Sequence, residues 1–152
     1  MSDSNIEVLK KETYLKVIEN SIGSKLFNSL IVRLKDSGKT VDVLNDGEYS
    51  CAFFVSSVLA LMQIINKPYS TVKTLIESIE SDDSWKKVDG DNVESGDVVF
   101  YKKVKFDDGS ENAHVGFVLN KEEAVSTDYK NKMVNKHSIN DRPIEVIYRY
   151  SW

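Results

Sequence analysis

YSCAFFVSSVLALMQ, residues 49–63, is apolar on nearly every side of a helix and carries the only cysteine of the chain, Cys51. A helix with no polar face belongs inside a protein, so this segment is expected to be the buried central helix, running on towards Lys67-Pro68. The preceding N-D-G-E-Y-S, residues 45–50, is turn chemistry, with Ser50 placed to cap the helix that starts at Cys51. The thiol therefore stands at the end of a helix where unpaired N–H groups favour negative charge.

Reading outward from this helix, the first part of the chain looks helical. Ser4 and Glu7 have the spacing of a capping box ahead of a segment with Val8, Leu15, Ile18 and Ile22 on one face. A second helix is expected over residues 24–35, from Leu26, Phe27, Leu30, Ile31 and Leu34, with Gly38 as its stop. A shorter amphipathic helix follows Ser70, turning Val72, Leu75, Ile76 and Ile79 inward. After Trp85 the pattern changes to short β-prone runs: residues 98–106, 113–119, 124–129, 133–139 and 144–150. The turn signals FDDGSEN, NKE and NDRP separate them. Helices followed by a strand meander predict an α+β domain, with the Cys51 helix packed on an antiparallel sheet of about five strands. Residues 1–152 read as one domain, and residues 1–44 as its N-terminal helical part.

Bulk composition narrows the function. The 152 residues suffice for one core. The formal net charge of −4 and the interspersed Lys, Arg, Asp and Glu argue against nucleic acid as a partner. One cysteine makes no internal disulfide. No apolar run approaches a membrane span, so no membrane partner is expected. The segment MSDSNIEVLKKETYLK has neither the basic nor the apolar region of a signal peptide, which predicts a cytoplasmic protein or one exported without a classical signal. No metal-ligand spacing, P-loop, G-x-G-x-x-G or G-x-S-x-G occurs, so no cofactor and no metal are indicated.

A thiol at a helix start is suited to acyl transfer: the terminus stabilises the thiolate and its N–H groups can receive an oxyanion. As a single residue Cys51 also fits a small core hydrophobe. Its base would be His114 or His137. In AHVGFVL, strand alternation puts His114, Gly116 and Val118 on one face, and Gly116 signals close approach by another element, for which the Cys51 helix is the candidate. If residues 120–122 form the turn, Leu119 pairs with Glu123, His114 faces Asp128 and Gly116 faces Ser126. Asp128 is then the group to hold the imidazole, with Ser126 as the alternative. His137 reads as a surface residue in preference to a cleft residue.

Taken together, YSCAFFVS, SGDVVFY and AHVGFVL resemble the NlpC/P60-like and CHAP branch of the papain-like cysteine peptidases, over residues 46–128. The resemblance implies a nucleophile at Cys51, a general base at His114 and an orienting residue on the strand that carries Ser126 and Asp128. It implies a peptide or peptidoglycan fragment as substrate. The chain departs from the family's D-C-S-G-F pattern, with Ser50, Ala52 and Phe53 around the cysteine and a bulky Phe54. A non-catalytic binding module on the same fold, or an acyltransferase using the same Cys-His pair, is the alternative.

Overall fold

A computed structural model describes residues 3–152. Three α-helices, α1 (Lys10–Ser21), α2 (Cys51–Leu61) and α3 (Val72–Glu80), precede most of the strands. β1 (Ile31–Arg33) and β2 (Thr40–Asp42) form a separate hairpin. The main sheet is antiparallel, in the order β3-β8-β4-β5-β6-β7, from β3 (Trp85–Lys87), β4 (Val98–Lys105), β5 (Glu111–Val118), β6 (Glu123–Asp128), β7 (Met133–Ser138) and β8 (Ile144–Tyr150). It has six strands, one more than the sequence suggests. The extra one is β3, three residues long, which pairs with β8 through Trp85 and Tyr150. Among the described residues no helix is long and apolar enough to cross a membrane.

The sheet has an apolar layer on each side. Val98, Phe100, Val115, Phe117, Val125, Val134 and Tyr148 share the larger core with Ala52, Phe54, Val55, Val58 and Leu59 of α2 and with Leu75 and Ile79 of α3. Phe117 receives Phe54 and Tyr14 edge-on, at 5.6 and 5.7 Å between ring centroids. The opposite side has a smaller core of Val93, Val99, Tyr101, Val118, Ala124, Ile139 and Ile147. Burial on both faces explains why β4 and β5 read as nearly continuous apolar runs.

The N-terminal third differs from the helical expectation. No helix spans residues 24–35: Leu26 and Ile31 are 80% and 61% exposed, while Phe27 packs on the larger core with its ring 5.1 Å from Phe54, so the expected face is not buried as a whole. The β-branched pair Ile31-Val32 instead joins the β1–β2 hairpin, and Gly38, at φ +70°, serves its turn and not a helix end. α1 begins at Lys10 with Leu9 in the cap position, not behind a Ser4–Glu7 box, and buries Tyr14, Ile18 and Ser21 while Val8 stays exposed. α2 stops at Leu61, before Gln63 at φ +56°. Ser50 precedes α2 without capping it, its Oγ donating to the Gly47 carbonyl at 3.1 Å.

The Gly96-Asp97 dipeptide anchors the start of β4. Gly96 N donates to Val118 O and Val118 N to Asp97 O, while Tyr14 Oη reaches Gly96 O at 2.7 Å. Gly96 has φ +91°, and an added Cβ would fall 2.8 Å from Tyr14 and Leu15, so only glycine fits. Asp97 is buried, and its carboxylate receives Arg149 Nε and Nη2 at 2.7 and 2.8 Å and the Glu94 N–H at 2.8 Å.

Candidate functional site

Cys51 is the first residue of α2, the helix whose apolar residues line the larger core. The residue is half-buried and free. Its surroundings are dense, and burial pushes the thiol above its ordinary range. Four weaker influences pull the other way: the backbone amides of Val115, Ala52 and Cys51 itself, and the positive charge of Arg142. A helix start and a strand amide thus both act on the sulfur, but desolvation wins and the resting group is a neutral thiol.

The β5–β6 turn has the register expected from sequence. Phe117 pairs with Val125 and Val118 with Ala124, and Leu119 N donates to Glu123 O. The ladder ends there, and beyond it the fully buried Ser126 donates its Oγ to the Val115 carbonyl at 2.6 Å. His114 and Asp128 are consequently not a ladder pair. The close approach at Gly116 also comes from β6: an added Cβ would meet Val125 O at 2.7 Å and Ser126 Cβ at 3.2 Å. It does not come from the Cys51 helix, the element proposed from sequence.

His114 pairs with Tyr101 across β4–β5, on the side of Val99 and Val118. Its neighbour Val115 faces α2. The thiol and the imidazole therefore lie on opposite sides of β5, joined through the backbone at Val115, and no hydrogen bond links them among the described residues. The imidazole instead meets Tyr101 and His137, with ring centroids 5.7 Å apart in each case and Tyr101–His137 at 5.9 Å. Burial, then the nearby charges of Arg142 and His137, lower the His114 pKa to about 3, against an opposing pull from Asp128. His114 is thus a neutral ring over the physiological range.

Asp128 is half-buried and serves a turn. Oδ1 accepts from Lys130 N at 2.8 Å and Asn131 N at 3.4 Å, and Oδ2 from Asn131 Nδ2 at 2.5 Å. These hydrogen bonds hold its carboxyl below the usual range against a desolvation that would raise it. It acts on His114 through charge alone.

His137 is half-buried and inside the cluster, not at the surface as the sequence favoured. Nδ1 lies 2.9 Å from Ser138 O, while Nε2 is buried with no hydrogen-bond partner among the described residues. Two further members escaped the sequence reading. Tyr101 is wholly buried with an unpartnered hydroxyl, and Arg142, stacked on Phe106 at 5.7 Å, has a buried, unpartnered Nη1. The signal for Tyr101 was alternation along DVVFY, which sets it beside His114 once β4 and β5 pair. Nothing local in NDRP marks Arg142.

No family model matches the chain, and no curated protein is detectably similar to it.

Proposed function

We propose that this protein is a thiol-dependent amide hydrolase of the papain-like kind, acting on peptides of the peptidoglycan type through Cys51. The observation that carries this reading is the convergence of the Cys51, Ala52 and Val115 amides on a sulfur at the first residue of a buried helix. Such donors serve the thiolate and then the oxyanion formed when the sulfur attacks a carbonyl. In the reaction the Sγ–C bond forms, His114 takes the thiol proton and returns it to the leaving amine, and water then cleaves the thioester. Asp128 contributes the one influence that favours a protonated His114. Because β5 separates thiol and ring, the proton must pass over the end of the strand, through a bridging water or a shift of its first residues. Muropeptide hydrolysis should vanish in Cys51→Ala with the fold intact; turnover equal to wild type would sink the mechanism. With an added amine, transfer products in place of hydrolysis would identify an acyltransferase instead.

The second reading is a non-catalytic binding module. It is favoured by one specific observation: His114 faces Tyr101 and His137, and among the described residues no hydrogen bond joins it to the thiol. On this reading a peptide binds with unchanged affinity to Cys51→Ala and no covalent adduct forms.

A further inference from the structure

The side of the sheet away from α2 holds three buried polar atoms with no hydrogen-bond partner among the described residues: Tyr101 Oη, His137 Nε2 and Arg142 Nη1. Orphaned buried groups are rare in folded proteins, because each forfeits its hydration without a replacement bond. These three belong to one cluster. The Tyr101, His114 and His137 rings form a triangle with sides of 5.7–5.9 Å, and the loop carrying Arg142 runs beside Tyr101, which pairs with Ile144 while Lys102 N donates to Pro143 O. Tyr101 is 0% exposed, so its hydroxyl does not touch bulk water.

We infer that Tyr101, His137 and Arg142, with His114 beside them, form a receptor for one small carboxylate. The guanidinium repels a cation and supplies directional N–H donors to an anion. The phenol is a second donor. The chain's own nearby carboxylates leave the place free: Asp128 is committed to the turn at Lys130 and Asn131, and Asp141 is exposed. His137 Nδ1 donates to Ser138 O, and its Nε2 stands buried beside the Tyr101 and His114 rings. The charged or titratable groups that act on Tyr101 and His114 are Arg142, His137, Asp128 and Asp141. The receptor shares His114 with the reaction assigned to Cys51, and Arg142 acts by charge on both, so it is read out by binding and not by turnover.

The test is an NMR titration of protein labelled with ¹⁵N in its histidine rings, using sodium acetate against sodium chloride at equal ionic strength and constant pH. Acetate should produce saturable shifts of the His137 and His114 ring nitrogens. Tyr101→Phe and Arg142→Gln, each checked for a native amide spectrum, should weaken binding at least tenfold. Shifts that are linear and identical in chloride would overturn the receptor, leaving only water in contact with these atoms. Saturation unaffected by both variants would overturn the residue assignment. Saturation by inorganic phosphate and not by acetate would overturn the carboxylate class. A loss of muropeptide hydrolysis in Cys51→Ala bears on none of these outcomes.

Discussion

Replacing Arg149 by Met tests the load carried by the Gly96-Asp97 anchor. Asp97 is 2% exposed and its carboxylate is satisfied by three donors, two of them from the Arg149 fork. The variant leaves a buried carboxylate with the Glu94 N–H alone. Breaking a fully buried ion pair from one side costs about 3–5 kcal/mol. The Arg149 side chain is 21% exposed, so water can partly replace it and the lower end applies, about 3 kcal/mol. The contact between Arg149 and Glu94, more than half exposed on the Glu94 side, adds little. For a chain of this size a loss of about 3 kcal/mol corresponds to a fall in Tm of roughly 6–12 °C. Urea unfolding followed by far-UV circular dichroism measures it, with an unchanged m-value confirming that only stability moved. The double variant Asp97→Asn with Arg149→Met should recover part of the loss, because the orphaned charge is gone. A single-variant loss below about 1 kcal/mol would refute the claim that this pair anchors β4, since that is the range of an exposed ion pair.

Gly116→Ala should destabilise by about 1–3 kcal/mol, because the new Cβ meets the Val125 backbone carbonyl at 2.7 Å and a ladder strand cannot swing aside. Chemical denaturation reads it, and a neutral result would mean that β6 is free to retreat. The His114 pKa, lowered from 6.5 to about 3 mainly by burial, makes the folded state bind fewer protons than the unfolded one between those values. Its stabilising contribution is therefore complete above about 6.5 and is lost as pH falls towards 3; His114→Leu should flatten that part of the stability profile measured by urea titration.

Much of the frame is legible in the residues. The apolar circumference of YSCAFFVSSVLALMQ marks α2 as central, and a three-residue turn at 120–122 fixes the β5–β6 register that Phe117 and Val125 adopt. Alternation correctly groups His114 with Gly116 and Val118, yet it does not reveal which side α2 covers. Val115 and Phe117 on one side and Val118 on the other are equally apolar, because both sides of this sheet carry a core. That ambiguity set the thiol and the imidazole on one face when they occupy two. The expected helix at residues 24–35 failed for a related reason: spacing defines a face, and only burial gives it energy. Tyr101 and Arg142 come from strand β4 and the loop before β8, so their meeting with His114 is a product of tertiary topology that no local motif encodes.

The most direct test of the proposed chemistry uses the single cysteine. The chain is incubated at pH 7 with a peptide chloromethyl ketone, folded and in urea, and its intact mass is followed with time. The account predicts one adduct per folded chain, at a rate that saturates with probe concentration, exceeds the rate in urea and falls in His114→Ala. An adduct that forms only in urea would identify Cys51 as a packing residue and leave the binding module as the function of this fold.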